Sequence, residues 1–249
     1  MNVITLAKKY AALLDETYRE NAKTAVLESD PALAREGANA NELVIPKLTM
    51  DGLANYSRNS GYVSGDVSLT WETVKFSYER GRMFSVDAMD NEESQSIAFG
   101  ALAGEFVRTK AVPELDAFRF AAIAGTDGIS KAEGKLETGE AAAAAVRKAV
   151  SAMDAAEVPS EDRVLFITPV LKGMIDDMDT TKSRAVMASF TDVVVVPQSR
   201  FYSAVKLADG VTDGEESGGY SKAAGAKNIN FMIVHKGAVI QFTKHALPK

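Results

Sequence analysis

With 249 residues, 46% hydrophobic and 25% charged, the chain can form one or two domains with a sizeable core, which excludes wholesale disorder. Lys plus Arg number 28 against 34 Asp plus Glu, a formal charge of −6, so the totals lack the basic footprint of a dedicated DNA binder. There is no cysteine, which removes disulfides, thiolate metal sites and cysteine nucleophiles, and any histidine chemistry must use His235 or His245.

In chain order, residues 3–28 read as an amphipathic helix, with Leu6, Tyr10, Leu13, Leu14 and Tyr18 at three- and four-residue steps. Its start has no long apolar run behind the first residues, so it is not read as a secretory signal. No stretch in the chain reaches the roughly 18 consecutive apolar residues of a membrane span. A small, polar linker follows through Asn41, and the helix either folds back on the body or reaches another subunit.

Residues 42–88 change period. Pro46 makes its neighbours extended, and Val67, Leu69 and Trp71 alternate with Ser68, Thr70 and Glu72 in a strand period of two. The alternation slips at Thr73 and resumes as Val74, Phe76 and Tyr78, which predicts a bulge or a twist. The polar stretch from Asn55 to Tyr62 between the two strands has too little apolar content to be core. Trp71, Phe76, Tyr78 and Phe84 on such a ribbon need a cover, and the simplest is another copy of the same chain.

Residues 89–125 are the clearest helical segment. Asp90 and Glu93 have capping-box spacing, and Ile97, Phe99, Leu102, Phe106, Leu115, Phe118 and Ile123 supply an apolar side. Pro113 is expected to kink this helix or divide it in two. Beyond it, residues 126–249 read as α/β or α+β. An Ala-rich helix spans about 139–157, with Val146, Ala149, Val150 and Met153 on one face. Residues 164–167 form a buried strand, after which Thr168 caps a further helix that has Pro169 at its first position. Residues 193–196 form a second buried strand stopped by Pro197, 209–227 are a surface loop, and 229–234 and 238–242 form a hairpin turned at Lys236 and Gly237.

Motifs for chemistry are absent. His235 and His245 read as strand-end histidines, because neither has an acidic partner nearby in sequence. Asp176, Asp177 and Asp179 lack the glycine and ligand spacing of a calcium loop and read as a solvated helix end. The glycines around Tyr62 and at 125–128 lack the Gly-Lys-Ser/Thr ending of a phosphate loop, and Ser217 is not in a nucleophile elbow. Arg80 and Arg82, flanked by Tyr78 and Phe84, form a small basic site that reads first as a salt-bridging edge. No metal, cofactor or catalytic residue is predicted.

The run Ile45-Pro46-Lys47-Leu48-Thr49-Met50-Asp51-Gly52-Leu53, then Gly61-Tyr62-Val63-Ser64-Gly65-Asp66-Val67, Trp71-Glu72-Thr73-Val74-Lys75 and Glu79-Arg80-Gly81-Arg82-Met83-Phe84-Ser85-Val86-Asp87-Ala88-Met89-Asp90-Asn91-Glu92, resembles major capsid proteins of tailed bacteriophages. The likeness continues in Val112-Pro113-Glu114-Leu115-Asp116-Ala117 and from Phe231 to Ile240, covering most of the chain in order. It implies an α+β tailed-phage major capsid fold. Residues 1–41 would be the N-terminal arm, 42–88 the extended β-ribbon loop, 89–125 the spine helix of the peripheral domain, 126–228 the axial domain, and 229–249 strands returning to the peripheral domain.

The implied function is a structural, non-enzymatic subunit of a virion, assembled in the host cytoplasm into pentamers and hexamers of an icosahedral shell around double-stranded DNA. Its partners would be itself, a portal protein, a separate scaffolding or decoration protein, and packaged DNA touched without sequence preference; no membrane is implied. Tyr62, Trp71, Phe76, Tyr78, Arg80 and Arg82 are the expected inter-subunit contacts. Relatives commonly continue past the last strands, so the end at Lys249 implies a truncated chain or a sheet completed differently. The absence of a long segment ahead of the arm implies a separate scaffold or none. Lys47 and Lys75 lie in the region of the fold's Lys–Asn cross-link, without a motif that assigns either to it. The alternatives are an encapsulin-type shell holding protein cargo and, from another class, a hydrolase using His235.

Overall fold

Residues 164–167 are apolar on both sides of a strand, and the chain buries both. The computed structural model describes residues 17–18, 20–30, 35–36, 41–84 and 97–243; the start of the N-terminal helix, the Asp90/Glu93 box and His245 lie outside them. The protein is mixed α+β and divides into two units, Ser29–Ser85 and the combination of Met1–Glu28 with Val86–Lys249.

In the smaller unit, β1 (Arg35–Glu36), β2 (Glu42–Met50) and β3 (Val67–Lys75) form one antiparallel sheet in that order. The β2–β3 ladder runs without interruption from Glu42 opposite Lys75 to Met50 opposite Val67. The expected bulge at Thr73 is therefore absent. Val74 simply faces the opposite side from Trp71, paired with Leu43, and β3 ends at Lys75. Phe76 N donates to Asn41 O (3.0 Å) and Asp51 N to Asp66 O (3.1 Å), so the odd-numbered positions of β2 make the hydrogen-bonded pairs. Pro46 falls on an even one. Its missing N–H points away from β3 and removes no bond of the β2–β3 ladder.

The larger unit is built on a sheet of order β5-β4-β8, where β4 is Arg163–Ile167, β5 Asp192–Val195 and β8 Phe231–His235. β5 runs parallel to β4 and β8 antiparallel to it. Strand alternation sends Leu165 and Ile167 to one face. There they meet Ala142, Ala143 and Val146 of one helix (Gly139–Ala155), Leu171 and Ile175 of a second (Pro169–Asp176), Val186 of a third (Thr181–Met187), and Phe190. Val164 and Phe166 face the other way, against Phe120, Leu27, Val196, Phe201 and Val234. The Ala-rich helix starts on Thr138, whose hydroxyl accepts from Ala141 N (3.2 Å). A Cβ on Gly139 would strike the carbonyl oxygen of Met174 and come within 2.9 Å of Met178 Sδ, so that helix and the next can approach only over a glycine.

The long helix is α1 (Ile97–Phe106), a π-helical turn (Val107–Ala111) and α2 (Val112–Gly125). Helical dihedrals continue through Phe106, Ala111 and Val112, so Pro113 does not divide it. A proline cannot donate to the carbonyl four residues back and its ring clashes with it; the wider π turn immediately ahead relieves both problems. The buried face of α2 also differs from the expected one. Val112, Asp116, Ala117, Arg119 and Phe120 are buried, whereas Leu115 and Phe118 are only half-buried.

Other expectations are corrected at the C-terminal end. Only β8 forms: Lys236–Ala238 is a 3-10 turn, and 239–243 are not a strand. Gly237 N donates to His235 Nδ1 (3.1 Å), and Gln241 turns its buried side chain to Thr24 O (2.8 Å), fixing the segment by a side chain where a hairpin would use its backbone. Thr168 precedes its helix as expected, but its carbonyl makes the first helical bond, to Lys172 N, and its hydroxyl does not cap. The 209–227 stretch contains a strand, β7 (Tyr220–Lys222), paired with β6 (Val205–Leu207). Residues 17–28 fold back on the larger unit, burying Tyr18, Thr24 and Leu27.

Candidate functional site

Residues directly opposite in an antiparallel ladder share a face, so the β2–β3 register assembles one side of the ribbon. Met50 with Val67, Leu48 with Leu69 and Pro46 with Trp71 lie in successive non-hydrogen-bonded pairs, the closer-spaced kind. All remain open to solvent: Leu48 is 55% exposed, Met50 66%, Val67 70%, Leu69 57% and Trp71 46%. The other side carries Thr49, Ser68, Lys47, Thr70 and Glu72 over most of its length. The ribbon thus has one apolar and one mainly polar face. Arg35 of β1 places its guanidinium 4.5 Å from the Trp71 ring centroid, a cation–π contact that covers part of one indole face.

The six expected contact residues do not converge. Trp71 alone sits within the apolar stripe. Tyr62 is almost fully exposed beyond the Met50–Val67 end, its ring 4.9 Å from that of Tyr56. Phe76, Tyr78, Arg80 and Arg82 follow the opposite end of the ladder; Phe76 and Tyr78 are half-buried and the two arginines exposed. Leu48 and Met50, absent from the expected set, are brought onto the same stripe as Trp71 by the pairing. The signal was present as the alternation of Pro46, Leu48 and Met50 in β2, which mirrors Val67, Leu69 and Trp71 in β3. Lys47 and Lys75 are exposed and make cross-strand ion pairs, with Glu72 (3.7 Å) and Glu42 (3.9 Å). Pairs of this kind are worth at most about 1 kcal/mol.

Elsewhere the polar groups serve local structure. His235 accepts the Gly237 N–H that turns the chain. Asp176 pairs with Lys172 (2.5 Å) and Asp179 with Arg184 (3.4 Å), as befits a solvated helix end. Among the described residues, no group of three or more His, Asp or Glu is placed to hold a metal ion, and no helix is long and apolar enough to cross a membrane. An open depression of about 340 Å³ beside β6 and β7 is lined by Lys206, Glu215 and Tyr220, among others. Lys206 and Glu215 pair with each other there, raising the lysine and lowering the carboxyl. Next to them the Thr212 hydroxyl and the N–H groups of Thr212 and Val211 hold Asp209 down to about 2, fixing the turn.

Compared with known proteins, the chain matches no protein-family model, no curated protein and no solved structure.

Proposed function

We propose that this chain is a major capsid subunit of a tailed bacteriophage, assembling into the pentamers and hexamers of an icosahedral shell that encloses double-stranded DNA. The carrying observation is the uncovered apolar face of the ribbon. Five large apolar side chains on one regular ladder, with a mainly polar face behind them, make a surface that a lone subunit leaves in water. A partner that removes it from water gains on the order of 25 cal/mol for each Å² of apolar area. The ordered sequence resemblance supplies the class of partner, further copies of the same chain, and with it the tailed-phage capsid fold. A net charge of −6 suits a shell that confines DNA without gripping it. Portal, scaffolding and decoration proteins are the partners such a shell implies, and the virion is its location.

Electron microscopy of the purified protein, followed by nuclease digestion and nucleic-acid extraction from the particles, tests the reading. Closed icosahedral particles that protect double-stranded DNA are the expected result. Particles that hold protein cargo and no genome would instead make it an encapsulin-type shell. A sharp monomer at micromolar concentration would contradict both.

A further inference from the structure

Asp116 and Arg119, one helical turn apart on α2, are charged residues in the interior, and both turn toward residues 17–28. Asp116 is fully buried and accepts four bonds: from Lys23 N (2.9 Å), Thr24 N (3.0 Å), Thr24 Oγ1 (2.7 Å) and Arg200 Nη1 (3.1 Å). Arg119 donates to the Tyr18 hydroxyl, to Thr24 Oγ1 (3.2 Å) and to Thr243 Oγ1 (2.7 Å), and lies 3.6 Å from Glu28 Oε2. Gln241 adds bonds from its Nε2 to Thr24 O (2.8 Å) and Glu28 Oε2 (3.1 Å). Thr24 is thereby held at its N–H, its carbonyl and its hydroxyl, all by side chains of the body.

We propose that residues 17–28 are a releasable strap, seated on α2 by this polar key, so that the larger unit has a seated and a released state with its body folded in both. Three features support two discrete states. From Ala22 to Glu28 the strap's own structure is a single 3-10 turn (Ala25–Leu27), too short to stand alone. The core facing the 139–155, 169–176 and 181–187 helices contains no strap residue, and in the opposite cluster Leu27 is the one fully buried strap side chain. Finally, release does not orphan the charges. Asp116 keeps Arg200 and Arg119 keeps Thr243, both supplied by the body, and water reaches the vacated seat. A seat built on directional bonds also fixes the register of the strap more strictly than apolar contact would. The inference does not depend on whether subunits assemble.

Native-state hydrogen exchange on the full chain tests it, because the Lys23 and Thr24 amides are themselves bonds of the key. They should exchange through a local opening that is insensitive to low denaturant, well before the Leu165 and Phe166 amides of β4. Thr24→Val removes a donor to Asp116 and an acceptor for Arg119; Gln241→Ala removes the body's bond to the Thr24 carbonyl and leaves it only that from Leu27 N. Each should speed exchange at 23 and 24 about ten-fold and leave β4 unchanged. Exchange of 23 and 24 only together with β4, or equal acceleration of β4 by either variant, would overturn the proposal. So would failure of Thr24→Val to fold, since the body would then require the strap.

Discussion

Leu69→Asp is expected to abolish assembly and leave the subunit's melting temperature within a degree or two of the wild type. Leu69 lies at the centre of the apolar stripe, opposite Leu48 and between Val67 and Trp71 on its own strand, and is 57% exposed. A carboxylate there is hydrated in the free subunit and costs it little. Covered by a neighbouring copy it would be a buried charge without a partner, at a cost of several kcal/mol per interface. A closed shell repeats that cost at every subunit. Size-exclusion chromatography and negative-stain microscopy read the outcome. A wild-type yield of particles from Leu69→Asp would remove the ribbon's apolar face from the account.

Phe120→Ala is expected to have the largest effect on the subunit itself, a loss of about 3–5 kcal/mol in urea unfolding. The ring is fully buried and meets Phe166 of β4 edge-on at 5.1 Å and Phe201 at 4.9 Å, joining α2 to the central sheet. Its removal leaves a cavity where three aromatic rings meet, walled by a strand that is itself buried on both faces. A domain of this size has a total stability on the order of 5–15 kcal/mol, so the loss is a large fraction of it. A change below about 1 kcal/mol would mean that α2 does not pack as described.

Phe120 also shows where sequence reading stops. The apolar side of the long helix was expected through Leu115 and Phe118, whereas the face that is buried carries Phe120 together with Asp116 and Arg119. They are buried because distant groups satisfy them: Thr24 from 92 residues upstream, Arg200 from 84 downstream and Thr243 from 124 downstream. No local periodicity contains those partners. The same applies to Gln241, whose bond to Thr24 replaces the hairpin that alternation in 238–242 suggested. Where the physics is local, the sequence was legible: the buried run at 164–167, the Ala-rich helix from 139, the solvated aspartates after Ile175 and the Val67/Leu69/Trp71 face all stand as read. The bulge was an error of a different kind. Val74 continued an apolar count but not a face, and pairing with Leu43 shows that both sides of the ribbon carry apolar residues near that end.

The fluorescence of Trp71 tests most directly whether this face is an interface, because it is the chain's only tryptophan and sits on the stripe. With 46% of its surface open, it should emit at long wavelength in isolated subunits, Arg35 shielding only one side. On assembly the maximum should move to the blue and quenching by iodide or acrylamide should fall, as the indole enters an apolar contact worth about 2–3 kcal/mol. A maximum and a quenching constant unchanged between free subunits and closed particles would contradict the account.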